Sequence, residues 1–219
     1  MLLTVFQQLD TFVFFLVALV VAITVHEFAH ALAATNLGDP TARAAGRLTL
    51  NPLAHLDPMG TILIFLVGFG WGKPVPYNPS FVKRGRWGEM LVAIAGPISN
   101  LLLAFLLALP GRIYLITHQA LPQGQIYTFL AVVVTLNIFL AAFNLIPIPP
   151  LDGSKILYLI LDGLGVSHAR IVWLEQMGPV LLLLLIFADR LLGVNLLFHL
   201  LDPVVALMQW FVGSSIIPL

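Results

Sequence analysis

The chain has 219 residues, of which 60% are hydrophobic and 9% charged, and its mean hydropathy is +1.02. Because roughly a quarter of the residues of a soluble domain are charged, this composition excludes a soluble fold and predicts a multi-pass membrane protein. The net charge of zero gives no electrostatic preference for nucleic acid, and the absence of cysteine leaves His, Asp and Glu as the side chains able to bind a metal.

The apolar runs predict an all-α polytopic membrane protein with about five transmembrane helices, which form a single integral-membrane domain over residues 1–219. Its core covers 11–165, and C-terminal helices cover 166–219. In chain order, the clearest spans are 11–36, 89–109 and 125–146, with a connecting loop at 110–124 and a short helix at 154–164. Two further apolar stretches, 177–188 and 195–211, leave open whether both cross the membrane.

A shorter apolar segment, MGTILIFLVGFGW at 59–71, lies between the first two spans. Its length of about 13 residues predicts a re-entrant or interfacial segment rather than a crossing. The flanking stretches 42–50 and 73–82 contain Gly, Pro and β-compatible residues and predict a small β element at the membrane surface. If 59–71 does not cross, the cations around it share one side, which the positive-inside rule places in the cytoplasm, with the N-terminus outside. These cations are Arg43, Arg47, Lys73, Lys83, Arg84 and Arg86.

Three titratable side chains interrupt the first predicted span, in the stretch VAITVHEFAHALAA. His26 and His30 are four positions apart, so they lie on one helical face and can reach one zinc ion. Glu27 lies about 100° around the helix from His26, where it can take a proton from an attacking water. This is the H-E-x-x-H arrangement of zinc hydrolases. Ionisable groups within a membrane cost several kcal/mol, which favours this interpretation over polar residues that merely satisfy one another in a helix bundle.

A catalytic zinc usually has three protein ligands and an open position, so a third ligand is required. The candidates are Asp57, Asp152, Asp202, His55, His118, His168 and His199. The third ligand must share the depth of His26, about 22 Å from the outer end of the first helix. Asp152 is favoured because the prolines of NLIPIPPLDGSK end the third span and leave an unwound segment that can direct a carboxylate into the bundle. The alternative is that Asp152 is the N-cap of the helix that begins near Ser154.

Over residues 11–165 the chain resembles the site-2 protease family of intramembrane zinc metalloproteases, in its short prokaryotic form. The motifs that carry the resemblance are HEFAH at 26–30 and FNLIPIPPLDG at 143–153, with AGPISN at 95–100, LNPLAHLDPMG at 50–60 and WGKPVPYNP at 71–79. The resemblance implies one zinc ion per chain, bound by His26, His30 and Asp152, with Glu27 as general base. It also implies that Asn144 helps to position or stabilise the tetrahedral intermediate. Alternatively, Asn144 is a helix-ending amide that satisfies freed carbonyl groups.

The predicted function is that of an intramembrane zinc metalloendopeptidase that cuts peptide bonds in or near transmembrane segments, close to the cytoplasmic face of the cell membrane. The single domain is then catalytic, and its partners are the lipid bilayer and a membrane-protein substrate with a transmembrane helix, without nucleic acid. The alternatives are an intramembrane metal-ion transporter, whose path would include His199 and Asp202, and an inactive adaptor of the same fold. Local turn hydrogen bonds are the preferred role of His55 and Asp57, and inter-helix hydrogen bonding that of Asn137.

Overall fold

The computed structural model describes residues 9–67, 71–120, 122–193 and 195–212, and the regular elements in these ranges are all helical. The helices are α1 (Leu9–Asn36), α2 (Thr41–Ala44), α3 (Pro58–Val67), α4 (Arg86–His118), α5 (Gln125–Asn144), α6 (Gly153–Gly163), α7 (His168–Leu192) and α8 (Leu196–Val212), with a 3₁₀ turn at Pro52–Ala54. Predicted helices therefore form at 11–36, 125–146 and 154–164 within a few residues of the expected ends.

Four helices are long and apolar enough to cross a membrane, which confirms a multi-pass helical membrane protein. These candidate spans are Asp10–Asn36, Arg86–His118, Gln125–Asn144 and His168–Ala188. α8 has 17 residues and is not among them, so the predicted count of about five spans is not confirmed.

The predicted second span is too short and the predicted loop at 110–124 is wrong over most of its length. α4 has 33 residues and continues through Pro97 and Pro110 before a left-handed residue, Gln119, ends it. Proline removes a backbone donor and usually stops a helix, but helices in membranes tolerate it where neighbouring groups satisfy the freed carbonyls. At about 1.5 Å per residue α4 is about 50 Å long, which exceeds the thickness of the hydrocarbon core.

The small β element is not confirmed. In the described part of the chain the nearest feature is an isolated antiparallel bridge between Leu56 and Gly72. The stretch 42–50 begins inside α2, and 73–82 is irregular up to residue 78 and then turns, without a partner strand among the described residues. Pro74, Pro76 and Pro79 have no N–H to offer a strand ladder. The apolar segment 59–71 begins as α3, whose ten residues are too short to cross; its re-entrant path stays a prediction.

Small side chains let the central helices approach closely. α1, α4 and α5 pack against one another, α6 packs on α4, and α8 on α4 and α5. The contact surfaces contain alanines buried to at least nine-tenths: Ala18, Ala22, Ala31 and Ala34 on α1, Ala104 and Ala108 on α4, and Ala141 and Ala142 on α5. Small residues at interfaces between membrane helices allow close packing of the backbones. This close packing brings residues of α4 into direct contact with the His26 and His30 face of α1.

Candidate metal centre

The structure brings the three predicted metal ligands together. His26 and His30 are buried on one face of α1, 5% and 8% exposed, and their Nε2 atoms lie 3.0 Å apart. Oδ2 of Asp152 lies 3.1 Å from His26 Nε2 and 3.4 Å from His30 Nε2. Within the described ranges these residues form the one group of three His or carboxylate side chains with the spacing of a metal site.

The hydrogen bonds of the two imidazoles direct their Nε2 lone pairs toward one another. Nδ1 of His30 lies 2.8 Å from the carbonyl oxygen of Val92, which can only accept, so Nδ1 is the donor. Nδ1 of His26 lies 2.6 Å from Oδ1 of Asn100, whose amide nitrogen is committed to other acceptors. In the neutral rings the proton is therefore on Nδ1, and each Nε2 presents a lone pair.

Three electron-pair donors thus converge on one small space, an arrangement that a shared cation stabilises. Oδ2 of Asp152 is buried and has no hydrogen-bond partner among the described residues. Tetrahedral ligands about 2.1 Å from a zinc ion lie roughly 3.4 Å from one another, close to the spacing of these atoms. Two imidazole nitrogens and a carboxylate also suit zinc chemically, and three ligands leave one position for water or substrate. The residues present therefore fit zinc.

The turn before α6 directs Asp152 into the site rather than along the helix. Asp152 occupies the N-cap position of α6, but its side chain makes no capping hydrogen bond there, so the capping alternative is not what the structure shows. A Cβ on Gly153 would lie 2.2 Å from the carbonyl oxygen of Leu145, so only glycine allows the chain to turn this tightly. α7 supports the turn from outside, because Gly178 packs directly against Pro149.

α4 supports the metal site from the opposite side. A Cβ added to Gly96 would lie 2.5 Å from His30 Nε2 and 2.6 Å from His26 Cε1. Asn100, one turn further along α4, is fully buried and joins three helices. Its amide nitrogen donates to the carbonyl of Ala22 on α1 at 3.0 Å and to Oδ1 of Asn137 on α5 at 2.7 Å. The second bond confirms the predicted inter-helix role of Asn137.

Asn100 is the residue that the sequence analysis missed. It stood in the AGPISN motif without an assigned role. A signal was present, because an asparagine within an apolar span is expected to hydrogen-bond across helices. The sequence could not show that its partner would be the Nδ1 atom of His26.

The carboxylate of Glu27 is held by the irregular segment at 71–78. Its Oε2 accepts a hydrogen bond from the backbone N–H of Val75 at 3.1 Å. Its Oε1 lies beside Gly72, 3.8 Å from the position that a Cβ would occupy there. Glu27 is thus adjacent in sequence to a predicted ligand and fixed by a separate part of the chain.

Asn144 is the last residue of α5, and its Nδ2 donates to the carbonyl of Leu140 at 3.0 Å. This is the helix-ending arrangement weighed as the alternative, so its catalytic role stays a prediction. Asp57 accepts a hydrogen bond from Gly60 N–H at the start of α3, which confirms a local turn role. The other histidines considered as ligands have different polar neighbours: Thr49 and Arg47 for His55, Tyr114 for His118, Arg86 for His168 and Asn195 for His199.

Comparison with known proteins gives a family and several relatives. The model of peptidase family M50 matches residues 14–115 and 107–185. "Putative zinc metalloprotease YwhC" of Bacillus subtilis (strain 168) is 41% identical over 184 residues, which cover 82% of this chain and 83% of the relative. "Putative zinc metalloprotease Rip2" of Mycobacterium tuberculosis (strain ATCC 25618 / H37Rv) is 31% identical over 188 residues, 83% of this chain and 70% of the relative. No solved structure matches the chain.

Proposed function

This chain belongs to peptidase family M50, and we propose that it cleaves peptide bonds in or near the transmembrane segments of membrane proteins, close to the cytoplasmic face. The family, the relatives and the four apolar helices show that the chain is a zinc metalloprotease and a multi-pass membrane protein. The observation that carries the proposal of action within the membrane is the position of the ligands. His26 and His30 lie inside a candidate span, and Asp152 reaches them from the turn that follows another.

The depth of His26 in α1 and the positive charges beyond the end of α1 support an orientation of the protein in the membrane. His26 lies about 25 Å along α1 from the start of the helix, at roughly 1.5 Å per residue, so the site is nearer to the C-terminal end of α1. Arg43, Lys73, Lys83 and Arg84 are exposed beyond that end. The positive-inside rule supports placing this end in the cytoplasm and the N-terminus outside.

The roles proposed for the chain's own residues follow from their contacts. His26, His30 and Asp152 would hold the zinc ion, which would supply a Lewis acid able to polarise a carbonyl and to lower the pKa of a bound water toward 7. Asn100 and the carbonyl of Val92 hold the two imidazoles in the tautomer that leaves Nε2 free to bind the metal.

Glu27 takes the proton of the attacking water and passes it to the leaving amine, a task for which its carboxylate is held by the N–H of Val75. One N–H of the Asn144 side-chain amide donates to the carbonyl of Leu140, which leaves its second N–H to donate to the developing oxyanion. We therefore assign Asn144 this role in the substrate complex.

A transmembrane substrate must be locally extended before its carbonyl can be attacked, since helical hydrogen bonds occupy the peptide groups. The irregular segment at 71–78 lies beside Glu27 and has exposed residues, among them Lys73, Pro74 and Pro76. We propose that the unwound substrate lies against this segment by strand addition. The missing N–H groups of the two prolines limit the number of such bonds.

The test compares wild type with Glu27→Gln in proteoliposomes that contain a labelled transmembrane peptide. A control, Glu175→Gln, removes a carboxylate from an exposed ion pair with Lys155 on α6. We expect wild type and the control to cleave the peptide. The cleavage rate of Glu27→Gln should be lower by 100-fold or more, which is on the order of the contribution of general base catalysis. All three proteins should contain about one zinc ion per chain. Equal cleavage by Glu27→Gln would refute the mechanism. Preference for a soluble unfolded peptide of the same sequence would refute action within the membrane.

A metal-ion transporter is not favoured, because an ion path needs polar side chains spaced along the membrane. The part of α1 that precedes the site instead places the apolar Ala18 and Ala22 in the interior of the bundle. Zinc flux through the same proteoliposomes that survives Glu27→Gln would reverse this conclusion.

A further inference from the structure

Arg47 is a buried cation to which neither the motifs nor the proposed chemistry gives a role. It follows α2, its backbone N–H bonds to the carbonyl of Ala42, and the residue is 5% exposed. A buried guanidinium is costly unless its donors are satisfied. Its two terminal nitrogens are directed at the segment that holds Glu27, whereas its Nε has no hydrogen-bond partner among the described residues.

The guanidinium binds two consecutive carbonyl groups of that segment. One terminal nitrogen donates to the carbonyl of Pro74 at 3.1 Å, and the other donates to the carbonyl of Lys73. The second nitrogen also lies 3.5 Å from Nδ1 of His55, whose own carbonyl accepts from Lys73 N–H at 2.8 Å. The planar fork of arginine suits this two-point contact, which a lysine can make at only one point.

This contact matters because the segment has few other ways to be held. Pro74 and Pro76 have no N–H, so a strand ladder cannot fix the residues around Val75. Its next anchor is Asn78 N–H, which donates to Asp39 at 2.7 Å. Between these anchors, Val75 N–H donates to Oε2 of Glu27.

We propose that Arg47 is a positioning residue for the general base: by holding the carbonyls of Lys73 and Pro74, it places the Val75 N–H that orients the Glu27 carboxylate. The proposal rests on the proposed function, in which Glu27 is the base. It adds that the base is oriented by a cation from the loop after α1 rather than by groups at the metal.

Hydrogen exchange of the purified full-length protein tests the structural step without activity. Between residues 73 and 77 only Lys73, Val75 and Tyr77 carry exchangeable amides, so exchange there reports on few hydrogen bonds. We expect Arg47→Lys, which keeps the charge but loses the two-point contact, to speed exchange in this segment about ten-fold or more, a fold-change that reflects loss of one or two hydrogen bonds. Arg43→Lys is the matched control, because Arg43 is an exposed arginine of α2, four residues before Arg47. Unchanged exchange in Arg47→Lys would overturn the proposal.

Kinetics test the catalytic step with the labelled transmembrane peptide. Because a misplacement of about 1 Å can cost 100-fold, we expect Arg47→Lys to lower kcat by about 10- to 100-fold, with KM and zinc content unchanged. In a Glu27→Gln background the same substitution should have no further effect, since both act through one group.

The outcomes separate the two proposals. Three results for Arg47→Lys would each overturn the role of Arg47 alone, provided that Glu27→Gln is inactive. They are a raised KM at constant kcat, a loss of zinc, and a wild-type kcat. Full activity of Glu27→Gln would overturn the proposed function, and with it the premise for Arg47.

Discussion

The contact between α4 and the two histidines predicts a severe effect of the smallest possible substitution, Gly96→Ala. The added Cβ would lie 2.5 Å from His30 Nε2, whereas ordinary contacts begin at 3.4 Å, so the helix or the ring must move by about 0.9 Å. Zinc ligands keep their distances within about 0.2 Å, so a shift of this size exceeds the tolerance of the site. We expect zinc affinity and kcat to fall at least about 100-fold, since displacements of about 1 Å cost that much.

Gly111→Ala is the matched control for this experiment, because Gly111 lies in the same helix and a Cβ there meets nothing within 4 Å. This control should keep full activity and gain up to about 1 kcal/mol in unfolding free energy, as expected for Gly→Ala in a helix. Zinc per chain is measured by elemental analysis after competition with a chelator, and cleavage is measured with the labelled transmembrane peptide. Wild-type zinc retention and kcat in Gly96→Ala would refute the close approach of α4 to the imidazoles.

Three further predictions concern the groups that support the site and the loop after α1. Asn100→Ala leaves His26 Nδ1 without its acceptor, and we expect chelator competition to show a 10- to 100-fold loss of zinc affinity, roughly the usual effect of removing such a partner. Gly178→Ala places a Cβ 2.2 Å from that of Pro149, so it should displace the turn that carries the third ligand and lower zinc affinity, whereas Gly163→Ala, with open space around it, should not. Burial would raise the pKa of the Asp39 carboxyl, but hydrogen bonds from Thr41 and Asn78 outweigh burial and hold that pKa below its usual range. Ionised Asp39 therefore stabilises the folded state at pH values above the ordinary pKa of the carboxyl. This stabilisation is lost as the pH falls through the lower pKa that Asp39 has in the folded state. The difference in Tm between wild type and Asp39→Asn should therefore shrink below about pH 4.

The convergence of the three proposed ligands could be predicted from the sequence because its determinants are local. His26 and His30 are one helical turn apart, so any helix places them on one face. Asp152 follows a proline-rich helix end, where the chain must unwind before the next helix. The shared depth of these two places follows from helix length and the distribution of cations. None of these features depends on how the helices pack against one another.

The features that sequence analysis missed depend on packing. Whether α4 continues beyond Pro110 depends on neighbours that satisfy its freed carbonyls. The stretch 73–82 has β-compatible residues, but side chains from distant positions take the hydrogen bonds that a partner strand would have made. Arg47 binds its carbonyls, and Glu27 and Asp39 accept from its N–H groups. A pairing pattern in the sequence cannot reveal such side-chain partners.

The two halves of the metal site differ in how they are held, and this difference has a consequence for the metal. His26 and His30 belong to a long helix, and each Nδ1 is fixed by a buried acceptor on α4. Asp152 lies on a turn between α5 and α6, which α7 contacts through Gly178. Among the described helices α7 packs on α6 and α8, and its first residue, His168, also contacts Arg86 at the start of α4. A movement of α7 would therefore reach the turn that carries Asp152 through the contact of Gly178 with Pro149. We therefore expect the outer helices to affect the affinity for zinc through the proposed aspartate ligand.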